Sequence, residues 1–180
     1  MKTYSKDKVW LTSDLHFYHK NILKYCNRPF EDVEDMNNTL IKRWNALVKK
    51  GDDVFVLGDF CFGGYNRWIN ILKQLNGKIH LIQGNHDPDK IINRLLEEGY
   101  LESVSLMELI KIDNQELFLC HYPMISWPNK ERGSWMLYGH THKLVDEEEF
   151  SELHYNVGVD NNAWFPISYV ELKEQMLKNE

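Results

Sequence analysis

Hydrophobic positions in this chain fall into short runs that end on polar residues, and the runs alternate with stretches of helical period. Val9 to Thr12 reads as a strand and ends in Ser13-Asp14-Leu15-His16. Over residues 35–50, Met36, Leu40, Ile41, Trp44, Leu47 and Val48 recur at helical spacing, and Gly51 is the predicted stop. Residues 54–57 form a second apolar run that ends in Gly58-Asp59. A helix is predicted around residues 66–75, and Asn76-Gly77 leads into a third strand, Lys78 to Ile82. That strand runs into Gly84-Asn85-His86-Asp87-Pro88. Here Gly84 suits a sharp turn where a side chain would clash, Asp87 a helix N-cap, and Pro88 the first helical position. The helix predicted over residues 89–98 places Ile91, Ile92, Leu95 and Leu96 on one face. Asn85 and His86 have no such structural use.

Strand and helix alternating in this way imply a parallel sheet with helices on its faces. In the second half the pattern changes. Residues 116–120, 135–138 and 153–159 are short, β-prone and separated by turns, which predicts a second, partly antiparallel sheet. The predicted fold is α/β, a double β-sheet sandwich flanked by helices, in a single domain over residues 1–180 without linker, repeat or low-complexity segment.

Composition narrows the function. A hydrophobic content of 43% in 180 residues excludes disorder. A formal charge of −6 without a long basic run argues against extended nucleic-acid binding, and the acidic residues 146–149 read as a solvated loop or hairpin tip. The stretch MKTYSKDKVW lacks the apolar centre of a signal peptide, and no apolar run reaches bilayer length, so a cytoplasmic location and no membrane partner are expected. Cys26, Cys61 and Cys120 form no CxxC pair and are odd in number, which argues against a disulfide framework. None of them has the surroundings of a nucleophile.

Histidine is the unusual residue: of eight, five stand in polar turns that end apolar runs. In order the turns are Asp14-x-His16, Gly58-Asp59, Gly84-Asn85-His86-Asp87, His121, and Gly139-His140-x-His142. Imidazole combined with carboxylate favours Mn²⁺, Fe or Zn²⁺, and the lack of Cys in these turns argues against a closed structural zinc site. Residues i and i+2 of an extended strand point the same way, so Asp14 with His16, and His140 with His142, are each expected to aim at one site.

Taken together, these turns resemble the calcineurin-like metallophosphoesterase family, in a small, cap-less form with a GNHD motif, over residues 9–159. The resemblance implies an α/β/β/α sandwich holding two divalent metal ions, Mn²⁺ first and Zn²⁺, Fe or Ni²⁺ as alternatives. Asp14, His16, Asp59 and His142 would surround one ion and Asp59, Asn85, His121 and His140 the other, with Asp59 bridging. It further implies phosphoester hydrolysis with a metal-bridging hydroxide as nucleophile, and His86 as proton donor to the leaving oxygen or stabiliser of the transition state.

The substrate is less defined. After Gly58-Asp59 the protein phosphatase branch continues Val-Asp-Arg-Gly, whereas this chain reads Phe60-Cys61-Phe62-Gly63-Gly64. With that arginine missing and GNHD in place, the chain is similar to the phosphodiesterase and nucleotidase-like branches. Phosphodiester hydrolysis is therefore expected; the alternatives are a phosphomonoesterase on the same site, a non-catalytic metal-binding scaffold, or a nuclease within a larger assembly. The expected partner is a phosphate ester, a nucleotide among the candidates, and the sequence leaves the oligomeric state open. His19 reads as a phosphate contact or as the polar start of residues 21–25. Arg28 reads as a phosphate clamp or as a surface turn residue. Phe17, Tyr18, Phe62, Tyr65 and Trp127 are candidates for base stacking, most of them expected to be packing.

Overall fold

The computed structural model describes residues 1–142 and 152–178; the acidic residues 146–149 lie outside the described residues. In chain order the elements are β1 (Lys2–Tyr4), β2 (Val9–Thr12), α1 (Ile22–Tyr25), α2 (Val33–Leu47), β3 (Asp53–Val56), α3 (Tyr65–Leu72), β4 (Lys78–Ile82) and α4 (Asp89–Glu97). They continue as β5 (Ser103–Ser105), β6 (Met107–Ile112), β7 (Gln115–Cys120), β8 (Trp135–Tyr138), β9 (His154–Asn156), β10 (Ile167–Ser168) and α5 (Tyr169–Lys178).

Two mixed sheets result. The first has the order β10-β2-β3-β4-β5, parallel from β2 to β5, with β10 antiparallel at the edge. The second has the order β1-β6-β7-β8-β9, antiparallel at β6–β7 and parallel at the other pairings. Alternation along β3 shows how the layers are held. Val54 and Val56 enter the core beneath the helices, with Met36, Leu40 and Trp44 of α2 and Ile92 and Leu95 of α4. Phe55 and the following Leu57 face the second sheet, where they meet Ile110, Leu117, Leu119 and Leu137. The helix α5 adds Tyr169, Leu172 and Met176 to this inter-sheet core.

Local chemistry moves the predicted boundaries. The carboxylate of Asp32 accepts from the amides of Glu34 and Asp35, so α2 begins before residue 35. Gly51 is not its stop: the chain already turns extended at Val48, whose side chain is fully buried in the core. Only residues 154–156 of the predicted 153–159 strand pair as β9, because the Asn156 side chain bonds to Gly158 N and Thr141 O and the ladder ends there. Cys61 and Cys120 are buried, and burial pushes both thiols up, which suits core residues rather than nucleophiles. Among the described residues no helix is long and apolar enough to cross a membrane.

Candidate metal centre

The parallel register Thr12↔Val56↔Leu81 makes β2, β3 and β4 end side by side, so residues 13–16, 57–60 and 83–87 emerge at one edge of the sheet. That carboxyl edge is where open α/β sheets place ligands. β7 and β8 of the second sheet deliver His121 and residues 139–142 to the same place. The loops are sewn together by backbone: the amides of Asp14, His16 and Phe17 donate to the carbonyls of Gly58, Asp59 and Phe60 at 2.9–3.0 Å.

Strand alternation does not aim these side chains. Asp14, His16, Asp59 and His140 have φ of 56°, 50°, 54° and 65°, so left-handed turns direct them. Such backbone costs of order 1–3 kcal/mol per non-glycine residue and collects where function holds it. His140 and His142 consequently part company and join different groups. The loops also meet so closely that side chains are excluded: a Cβ on Gly84 would fall on Asp59, and one on Gly139 on Ser13 and Asp14. For Gly84 the reason is this close approach and not a left-handed turn.

In the first group, His16 Nε2 lies 4.0 Å from Asp14 Oδ1 and 3.5 Å from Asp59 Oδ2. His142 completes it, since donor atoms of Asp14, His16 and His142 lie within 4.8 Å of one another. In the second group, Asn85 Oδ1 is 3.0 Å from both His121 Nε2 and His140 Nδ1. Asp59 Oδ1 is 3.7 Å from His121 Nε2, so the two carboxylate oxygens of Asp59 face the two groups.

The donor chemistry fits divalent ions. Asp14 Oδ1 and His16 Nε2 are buried without a hydrogen-bond partner, which proteins otherwise avoid. Their spacing is too wide for a hydrogen bond, yet matches ligands that each reach about 2.1 Å to one ion. Around His121 the case is sharper. Its Nδ1 donates to Leu57 O at 2.7 Å, so in the neutral ring, the form that can ligate a metal, the Nε2 lone pair is directed at the oxygens of Asn85 and Asp59. A cation between that nitrogen and those two oxygens would reconcile them. Burial, and then the Arg28 charge, hold His16 far below the usual imidazole range, so it stays neutral, the state in which an imidazole can bind a metal. Burial raises Asp14, the expected response of a carboxylate whose counter-charge is a metal.

Residues behind these donors hold them in place, and two of them, Asp87 and Arg28, do not serve as the sequence suggests. Asp87 is not a helix cap: Pro88 occupies the N-cap of α4, and the buried Asp87 carboxylate accepts from the amides of Asp59, Phe60 and Gly84 at 2.8–3.0 Å. Burial pushes its pKa up to about 6 against the lowering effect of those amides. Arg28 is neither a surface turn residue nor an outward clamp. Its guanidinium is fully buried, pairs with both oxygens of Asp160, and donates to the carbonyls of Asp14 and Leu15. Asp160 in turn lies 2.8 Å from His142 Nδ1. Burial lowers the His142 pKa, but the Asp160 hydrogen bond and the charges of Asp14 and Asp160 outweigh it and raise it. The sequence reading missed Asp160, although it closes the apolar run Val157-Gly158-Val159 as the other turns close theirs.

His86 is exposed at the rim, its ring centroid 5.6 Å from that of His16, while its amide donates to Asp59 Oδ1 at 2.9 Å. His19 Nδ1 stands 3.3 Å from His16 Nδ1, and the His19 ring stacks on Phe62. Phe17 and Trp127 are core residues, the Tyr18 ring is covered by Arg67, and the Tyr65 hydroxyl bonds to Glu98.

Comparison with known proteins gives this arrangement a family. Residues 8–171 match the model of the calcineurin-like phosphoesterase superfamily domain. The chain is 37% identical over 171 residues to an uncharacterized protein of Methanocaldococcus jannaschii, covering 91% of this chain and 88% of that one. Over 102 residues it is 28% identical to the probable cyclic nucleotide phosphodiesterase of Coxiella burnetii, covering 53% of this chain and 38% of that one. The crystal structure of a protein of unknown function from Aquifex aeolicus has the same fold, with a TM-score of 0.73 at 24% identity over 92% of this chain and 97% of that one. The chain belongs to the calcineurin-like phosphoesterase superfamily.

Proposed function

We propose that the chain is a dinuclear metal-dependent phosphodiesterase. The observation that carries this reading is Asp59, a buried carboxylate whose oxygens face two separate donor groups. Asp14, His16 and His142 would hold one ion and Asn85, His121 and His140 the other, with Asp59 shared. Mn²⁺ suits this set, which offers imidazole, carboxylate and amide oxygen but no thiolate. When bound, a metal pair supplies positive charge for the phosphate oxygens and activates water for in-line attack.

The chain's own residues set the geometry. Leu57 O fixes the His121 tautomer, and Asp160, gripped by the Arg28 fork, orients His142. Asp87 ties the loop of Asp59 to that of Asn85. The exposed ring of His86 is free to hand a proton to the leaving oxygen. With Arg28 spent inside the protein, the second charge of a monoester dianion lacks that cation, which favours a singly charged diester. The Coxiella burnetii relative, a probable phosphodiesterase, supports the same choice.

Three experiments check this reading. After chelation and re-addition of Mn²⁺, Zn²⁺, Ni²⁺ or Mg²⁺, bis-p-nitrophenyl phosphate is expected to be hydrolysed faster than p-nitrophenyl phosphate; the reverse order would favour the monoesterase. Asp160→Asn is expected to weaken metal affinity by about 10- to 100-fold in calorimetric titration. Arg28→Met should cost roughly 3–5 kcal/mol in urea unfolding, because it removes one partner of a buried ion pair and leaves the Asp160 carboxylate with His142 alone. A raised KM with unchanged stability would instead restore the phosphate-clamp reading.

A further inference from the structure

Aromatic residues make up 13% of the chain. Among the described residues, those that remain largely in solvent are Tyr25, 70% exposed, Phe62, 42%, and Tyr122, 44%. All three lie against histidines of the site. Phe62 stacks on His19 with centroids 4.4 Å apart and planes 12° from parallel, and stands 6.1 Å from His86. Tyr25 meets His19 edge-on at 6.3 Å. Tyr122 lies 4.7 Å from His140 and 5.0 Å from His121.

Folding does not account for these positions. A large apolar ring left in water forgoes the stabilisation its burial would bring, and elsewhere in the described structure the chain covers its aromatics at least in part. Tyr25 and Phe62 share His19, whereas Tyr122 lies against His121 and His140. They divide between the His19–His86 end and the His121–His140 end of a polar cluster. The Phe62 backbone is anchored, since its amide donates to Phe17 O at 2.7 Å next to the Phe17↔Cys61 bridge, and its ring rests on His19. A rigid ring beside a phosphate site is the arrangement that binds planar groups by stacking, tolerant of their identity.

We propose that Phe62 with His19 and Tyr25 at one end, and Tyr122 at the other, are stacking subsites for planar rings on the two sides of the phosphate. The preferred substrate is then a diester bearing a nucleobase or another aryl group, not an alkyl or glyceryl diester. This inference rests on the phosphodiesterase reading and specifies its substrate class. His86 places the leaving group at the Phe62 end, so Tyr122 faces the group that stays on phosphorus.

The test compares thymidine 5′-(p-nitrophenyl phosphate) with methyl p-nitrophenyl phosphate on the Mn²⁺-loaded protein. Both release the same p-nitrophenolate, so only the retained group differs. The wild type is expected to favour the thymidine ester in kcat/KM by about 5- to 150-fold, the range of one base–aromatic stack. Tyr122→Leu should bring that ratio close to one. Phe62→Leu should raise KM for both esters, which share the nitrophenyl ring, and leave the ratio unchanged. Saturation-transfer NMR with thymidine 5′-monophosphate gives a readout independent of turnover: thymine protons should receive saturation in the wild type and lose it in Tyr122→Leu. A wild-type ratio near one, or kinetics unchanged in both variants, would overturn the stacking subsites while the diesterase stands. No turnover of either ester by the wild type would overturn the diesterase reading itself.

Discussion

Asp59→Asn is expected to lower metal-dependent turnover by more than about 100-fold, the upper end of what changes behind a metal ligand cost, while leaving the metal-free protein folded. The two halves of this result have different causes. An amide oxygen can still accept from the His86 amide, and Asp59 donates its own amide to Asp87 through the backbone, so the loops keep their connections. Removing the charge also relieves Asp14, whose pKa is raised mainly by burial and in part by Asp59. What the amide cannot do is offer a negatively charged oxygen to each donor group. Metal binding at 100 times Kd stabilises a protein by about 2.7 kcal/mol. The wild type should therefore melt several degrees higher with Mn²⁺ than without it, and Asp59→Asn should lose most of that gain. Differential scanning calorimetry with and without Mn²⁺ checks this, and a variant that keeps the full metal-induced shift would remove Asp59 from the bridge.

His86→Ala is expected to slow hydrolysis of a diester with an alkyl leaving group by about 10²- to 10⁴-fold, the usual contribution of a positioned acid. With a p-nitrophenyl leaving group the loss should be under about tenfold, because that group departs as a stable anion and gains little from a proton. Metal content should not change. The His86 side chain is exposed at the rim, and its link to Asp59 runs through the backbone amide, which alanine retains. Steady-state kinetics on the two ester types, with metal content measured alongside, separates the possibilities. Equal loss on both esters would make His86 a binding residue, and lost metal would make it a ligand.

How far the sequence could be read depended on the range of the interaction concerned. β2, β4 and β8 were legible to the residue, because an apolar run closed by a polar turn is a local pattern. The polar turns themselves were legible too: the structure brings Asp14, His16, Asp59, Asn85, His86, His121, His140 and His142 together at one sheet edge. What failed was the account of how side chains are aimed. Alternation along a strand was the expected device for Asp14 with His16 and for His140 with His142, whereas left-handed backbone at Asp14, His16 and His140 does the aiming, and His140 and His142 reach one cluster in the two groups the resemblance gave them. Asp87 looked like a cap because Asp before Pro at a helix start is a local signature, yet its carboxylate serves amides 27 and 28 residues away. Arg28 and Asp160 lie 132 residues apart, and no pattern along the chain announces their pairing. The short β1 and β10 and the helix α5 were not anticipated either, since α5 buries only Tyr169, Leu172 and Met176, a sparse stripe for its length.

The claim on which the rest depends is that Asp59 joins two metal sites. Electron paramagnetic resonance during titration of the metal-free protein with Mn²⁺ tests it most directly. The account predicts that the spectrum at two equivalents is that of an exchange-coupled Mn²⁺ pair, and that Asp59→Asn does not give it. Saturation at one equivalent, or two equivalents that add as independent six-line signals, would contradict it.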